Sequence, residues 1–161
     1  MNRPRLALMF NAFWINQAGM SGGDRRCIEI FRRIGSQFDI RVHTSRDGKQ
    51  ALAQALPGAA FDLPSEPDEA SNILLAYLAR TRRSARILCT TPPDTVYASS
   101  DFFPVVVPCW RLKRQHPSVR WVQCIFHVYP PWWRRPGNPV RNFLAATAQK
   151  ISFRLIKRQA D

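Results

Sequence analysis

The chain has 161 residues, of which 24 are Lys or Arg and 11 are Asp or Glu, a net charge of +13 with 45% hydrophobic residues. That length and apolar share predict a single domain around one sizeable core. Cys27, Cys89, Cys109 and Cys124 stand far apart with no CxxC pair, which excludes a zinc motif and a disulfide framework and predicts reduced thiols in a cytosolic protein. No apolar run approaches the roughly 20 residues of a membrane-spanning helix, so any membrane contact is predicted to be peripheral.

The first element is the apolar run Leu6-Ala7-Leu8-Met9-Phe10, with the length and bulk of a buried parallel strand. Asn11, Asn16 and Gln17 interrupt the apolar stretch, which reads as a strand rather than a leader. A glycine-rich turn from Gly19 to Arg26 leads into a helix over Cys27 to Ile34. There Ile28, Ile30, Phe31 and Ile34 recur at helical spacing against Glu29, Arg32 and Arg33. Gly22 and Gly23 would let the backbone approach a ligand, and uncapped N–H groups at the helix start would favour an anion such as a diphosphate. The alternative is a tight turn that needs glycine only for positive φ, since the spacing is not GxGxxG.

Phe38 to Ser45 alternates with period two and predicts the second strand, followed by a short helix from Asp47 through Leu56 that Pro57-Gly58 stops. Phe61-Asp62-Leu63 is a candidate third strand. A helix over Glu69 to Arg86 follows, with Ile73, Leu74, Tyr77 and Leu78 as its inner stripe and Arg80, Arg82, Arg83 and Arg86 complementing the dipole at its end. Ile87-Leu88-Cys89 reads as a short strand and Thr95 to Ser100 as a firmer one. The latter delivers Ser100 and Asp101 to the edge where α/β sheets collect ligands, the edge of the Gly22-Gly23 turn.

A helix with Pro104 or Pro108 in its first turn should reach His116-Pro117, and the strand Arg120 to Val128 carries His127 to that same edge. The loop Tyr129 to Asn138 holds Trp132, Trp133, Arg134 and Arg135 among three prolines, a combination suited to a bilayer interface, unless the tryptophans tuck into the domain's own core. Asn138-Pro139 starts the closing helix, predicted to bury Val140, Leu144, Ala148, Ile151 and Leu155 and to expose Arg141, Lys150, Arg154, Lys157 and Arg158. The expected class is therefore α/β, a Rossmann-like open parallel sheet with helices on both faces, spanning residues 1–161.

Ser21-Gly22-Gly23-Asp24-Arg25-Arg26, Tyr97 to Pro104, Trp121-Val122-Gln123 with His127, and Arg135-Pro136-Gly137-Asn138 together resemble the N-terminal half of a family 4 glycosyltransferase of GT-B fold. The resemblance covers essentially the whole chain and departs from the family pattern at Val105 and Phe126. It implies an acceptor-side domain of a retaining enzyme that uses a nucleotide sugar and needs no metal or other cofactor, and that is inactive alone without a second, donor-binding GT-B domain in cis or trans. It implies His127 as the catalytic residue, Gly22 and Gly23 at the donor diphosphate, and Ser100, Asp101, Asp24 and Arg25 at a glycan or lipid acceptor.

Residues 102–160 hold eleven Lys or Arg and no Asp or Glu, against thirteen basic and ten acidic residues in the first 101. A one-signed half predicts a polyanionic neighbour. An anionic membrane fits best, met by Trp132, Trp133, Arg134, Arg135, Lys150, Arg154 and Arg158, which places the chain at the cytoplasmic face of the inner membrane. A basic α/β module for nucleic acid is the competing reading, weakened because the aromatics gather in one loop instead of alternating with basic residues on a strand. A dehydrogenase lacks its fingerprint.

Overall fold

A computed structural model describes residues 3–12, 21–63, 73–126, 128 and 130–161. Among them, five strands form one parallel sheet: β1 (Arg5–Phe10), β2 (Asp39–Thr44), β3 (Ala60–Asp62), β4 (Thr95–Ala98) and β5 (Arg120–Gln123), in the order β3-β2-β1-β4-β5. The helices between and after them are α1 (Gly22–Ile34), α2 (Arg46–Leu52), α3 (Ile73–Thr90), α4 (Phe103–Gln115) and α5 (Pro139–Gln159). The expected α/β Rossmann-like sheet with helices on both faces is the fold observed.

β1 carries bulk on both sides because both are covered. Leu6, Leu8 and Phe10 pack with Cys27, Ile28 and Phe31 of α1 and Leu52 of α2, whereas Ala7 and Met9 pack with Leu88 of α3, Val105, Cys109 and Leu112 of α4, and Ile156 of α5. The chain moves outward through β2 and β3 on one side, then restarts beside β1 with β4 and β5. The helix layers change face at that reversal, as right-handed crossovers require.

Several elements differ from expectation. Ile87-Leu88-Cys89 is not a strand but the end of α3, which runs on to Thr90. Arg80, Arg82, Arg83 and Arg86 are therefore mid-helix and complement no helix end. The predicted inner stripe of α3 holds in part: Tyr77 is half-buried and edge-on to Phe103, Leu78 is exposed, the side chains of Ile73 and Leu74 lie outside the described residues, and the inward face further on is Ala76, Arg80, Thr81, Ser84, Ala85 and Leu88. Arg80 is buried and donates from Nη1 to the Asn11 carbonyl at 3.0 Å. β5 stops at Gln123, short of Val128.

In α4, Pro104 sits in the first turn and Pro108 in the helix interior. Proline at 108 has no N–H for the Pro104 carbonyl, and the Asn11 amide fills that vacancy, donating to Pro104 O at 3.2 Å and to Ser84 Oγ at 2.7 Å. One side chain at the end of β1 thus ties α3 and α4 to the sheet.

At the other border, His43 of β2 is 1% exposed, and neither ring nitrogen has a hydrogen-bond partner among the described residues. Burial lowers its pKa from 6.5 to about 4; Asp62, with Oδ2 3.6 Å from Nδ1, pulls upward, and Arg41 and Arg83 push further down. A depressed histidine pKa means that the unfolded chain takes up the proton first as pH falls. Stability is therefore complete above about pH 6.5 and is lost on descending toward pH 4. The cost at pH 5 is about 2 kcal/mol, which should lower Tm by roughly 4–8 °C relative to pH 7.5. In His43→Leu this fall should flatten; an equal fall in the variant would assign it to other groups.

Candidate functional site

The carboxyl ends of β1, β4 and β5 meet the starts of α1 and α4, at the point where the strand order reverses. In open α/β sheets that crevice is where ligands bind. Ser21 is the N-cap of α1. Its Oγ accepts from Asp24 N at 3.1 Å, and the Asp24 carboxylate accepts from Ser21 N at 3.2 Å and from Ser21 Oγ at 2.6 Å, a closed capping box.

This corrects the expectation of an uncapped helix start. The glycines belong to the first helical turn, with no positive φ at either, so the tight-turn alternative also fails. Asp24 is committed to the cap, and it sets a negative charge where an anion would approach. The Gly22 and Gly23 N–H groups remain outside both the box and the helix ladder, since the first N–H groups of a helix have no intrahelical acceptor.

The two glycines have different reasons to be glycine. A Cβ on Gly22 would meet no atom of the described residues within 4 Å. A Cβ on Gly23 would lie 2.7 Å from Cδ2 of Phe126, whose ring covers the helix start from the segment after β5. The Arg26 guanidinium lies over the same ring, 5.8 Å from its centroid. Arg25 and Arg26 are exposed beside it.

On the β4 side, Asp101 is buried and its Oδ2 accepts from Gln149 Nε2 of α5 at 2.9 Å. Gln123 Nε2 donates to the Ser100 carbonyl at 2.9 Å, and the Ser100 hydroxyl is buried with no partner among the described residues. Tyr97 OH and Cys124 Sγ are 2.7 Å apart beneath them, and burial raises the Tyr97 pKa far above its ordinary value. The fold thus brings Gly22, Gly23, Asp24, Arg25, Ser100 and Asp101 to one sheet edge, with Asp24 and Asp101 both engaged internally. His127 lies outside the described residues.

Trp132, Trp133 and Arg134 form a 3-10 turn, with Trp132 edge-on to both Trp133 and Phe143 at centroid distances of 5.7 Å. Trp133 stays exposed, so the loop is not tucked into the core, while Arg135 Nε donates to Pro130 O at 2.9 Å. Lys150, Arg154 and Arg158 are exposed on α5. The predicted inner stripe of that helix holds only in part: Leu155 packs against the core and Ala148 is half-buried, but Val140, Leu144 and Ile151 face outward, and the buried residues are Ser152 and Ile156.

Three features were missed in the sequence. Ser21-x-x-Asp24 is a legible capping signature. The Phe126–Gly23 contact and the Asp101–Gln149 bond join residues 103 and 48 positions apart in the chain, and no local pattern announces either. A cavity of about 140 Å³ lies away from this edge, between β1, β2 and the end of α3, lined among others by Arg41, His43, Ile87 and Leu88.

No protein-family model matches the chain, and no curated protein matches it. Among solved structures, it is similar to UDP-N-acetylglucosamine 2-epimerase, at 15% identity and TM-score 0.53, over 96% of this chain and 39% of that one. It is also similar to CalG4, the calicheamicin glycosyltransferase, at 18% identity and TM-score 0.50, over 99% of this chain and 42% of that one. The fold is GT-B-like, and the chain spans about two fifths of the length of these proteins.

The two glycines separate in a simple experiment. Gly22→Ala should leave stability unchanged or raise it by up to about 1 kcal/mol, because alanine is the better helix residue and no described atom stands in its way. Gly23→Ala should cost about 1 kcal/mol through the Phe126 ring, and Phe126→Ala should abolish that cost. Equal effects of the two glycine substitutions in urea melts would remove the ring from the explanation.

Proposed function

We propose that this chain is the acceptor-side half of a retaining GT-B sugar transferase, working with a nucleotide-sugar donor on a glycan or lipid-linked acceptor at the cytoplasmic face of an anionic membrane. The observation that carries the reading is the start of α1 at the strand-order reversal. There the Gly22 and Gly23 N–H groups have no partner among the described residues, Arg25 stands exposed beside them, and Ser100 follows β4 at the same sheet edge. The similarity to a glycosyltransferase supports it at the level of fold.

In this reading the Gly22 and Gly23 amides meet the donor diphosphate when a second GT-B domain closes over the edge, and the Arg25 guanidinium stands beside them on the acceptor side. Fixed donors in a site shielded from water stabilise the charge that develops as the sugar–phosphate bond breaks. No metal is required, because amides and guanidinium supply the positive potential. Asp24 keeps the helix start in register through the capping box, and Asp101 holds Ser100 at the edge by anchoring it to α5. His127 is assigned the acceptor side, as the group that positions or polarises the attacking hydroxyl. The Trp132-Trp133-Arg134-Arg135 loop keeps the acceptor side near lipid.

Half a cleft binds without turning over. The 161-residue chain should show no transfer from any nucleotide sugar, while amide spectra on adding a short-chain lipid-linked sugar should shift at the acceptor-side residues Arg25, Ser100 and Asp101. Robust turnover by the chain alone, or shifts confined to the opposite sheet edge around Arg5 and Asp39, would overturn the proposal. Tighter binding to oligonucleotides than to anionic vesicles at matched salt would favour the nucleic-acid module instead.

A further inference from the structure

α5 turns a mixed face inward, with Ile156 in the core cluster and Phe153 and Leu155 packed on it beside the polar Ser152 and Gln149. Ser152 and Ile156 are buried, and Asn142, Ala146, Gln149 and Phe153 are half-buried around them. The opposite face leaves Val140 65%, Phe143 50%, Leu144 58% and Ile151 50% exposed, and Trp133, 66% exposed, extends this surface through the Trp132–Phe143 ring contact. At three- and four-residue spacing the same face continues into Arg154 and Arg158, with Lys150 on its flank, all exposed. A contiguous exposed apolar patch of this kind marks an interaction surface.

We infer that the outer face of α5 is an insertion surface for an anionic phospholipid bilayer. Val140, Phe143, Leu144, Ile151 and Trp133 enter the acyl boundary, while Lys150, Arg154 and Arg158 meet lipid phosphates. The inference rests on the membrane-proximal part of the function proposed above and adds to it the exposed apolar residues of α5, Val140, Phe143, Leu144 and Ile151.

Charge complementarity selects the occupant. Of the acids beyond residue 100, Asp101 is buried against Gln149, and Asp161 is held by Lys113 at 2.7 Å and by the Trp121 amide at 2.7 Å, with its pKa lowered by those bonds. The face therefore presents cations and apolar groups without an acid. A second copy docking through it would bring Lys150, Arg154 and Arg158 against their own counterparts with nothing to neutralise them. Nucleic acid would neutralise the charges and leave five aliphatic and aromatic side chains without apolar cover. A helix lying in the interface of an anionic bilayer satisfies both sets.

Vesicle titration of the 161-residue chain tests this, comparing phosphatidylcholine alone with phosphatidylcholine mixed with phosphatidylglycerol, at near-physiological and high salt. Binding should favour the anionic mixture, a part of it should survive high salt, and the tryptophan emission should shift to the blue in a way that Trp133→Phe reduces. Leu144→Ser with Ile151→Ser should keep the wild-type Tm, because both side chains are exposed, and should lower the salt-resistant affinity about tenfold. Lys150→Glu with Arg154→Glu should lower the salt-sensitive part by about tenfold or more. Vesicle affinity unchanged in Leu144→Ser/Ile151→Ser, no preference for the anionic mixture, or a concentration-dependent dimer abolished by the same pair would each overturn the inference. Intact vesicle binding without amide shifts from a lipid-linked sugar would sink the sugar-transfer reading and leave this one standing.

Discussion

Everything at the candidate site depends on β1 being covered on both faces. Leu6, Leu8 and Phe10 fill one core cluster and Ala7 and Met9 the other, so a one-residue slip of β1 would exchange bulky and small side chains between two packed layers. With its register fixed against Asp39–Thr44 on one side and Thr95–Ala98 on the other, the carboxyl end of β1 can point only at the crevice between α1 and α4. Asn11 then uses that end to close two helices onto the sheet, donating to Ser84 and to the carbonyl left vacant by Pro108. A buried amide with two acceptors is a specific fastening as well as a stabilising one, because a displaced helix would strand polar groups away from water.

The strands and α1, α2 and α4 were legible because local pattern and tertiary demand agree in them. Leu6 to Phe10 is apolar throughout and buried on both sides; Asp39–Thr44 alternates and lies against one well-filled cluster. Ile87-Leu88-Cys89 misleads for a physical reason: three apolar residues before Thr90 have the length of a short buried strand and equally that of a helix end, and periodicity cannot separate the two. At the site, Gly22 and Gly23 were legible as glycines with a purpose. Their separate reasons were not, because the Phe126 ring reaches Gly23 from the far end of the sheet.

α3 and α5 depart from the usual rule that a helix turns only its apolar stripe to the core: each buries polar side chains beside apolar ones and leaves other apolar residues exposed. In α3 the inward positions include Arg80, Thr81 and Ser84, which serve hydrogen bonds from the β1 end and from within the helix. In α5 the inward position Gln149 is fixed by the buried carboxylate of Asp101. A helix that must supply a polar group at a sheet edge cannot also turn its apolar stripe toward that edge. Polar anchoring at the site and apolar exposure on the outer face of α5 are thus two consequences of one helix rotation.

That rotation gives the charge asymmetry its meaning. Eleven basic residues between 102 and 160 would be an ordinary solvated surface if neighbouring carboxylates divided their field, and in the first half they do, as Glu29 shows by pairing with Arg32 and Arg33 at 3.1 and 2.8 Å. Beyond residue 100 both acids are already engaged, Asp101 with Gln149 in the interior and Asp161 with Lys113 at the surface. The potential of Lys150, Arg154 and Arg158 is therefore undivided on the side where Leu144 and Ile151 are bare. Long-range attraction to phosphate and short-range burial of apolar area act along the same normal, so a surface that is drawn by charge is also the one that can be held without it.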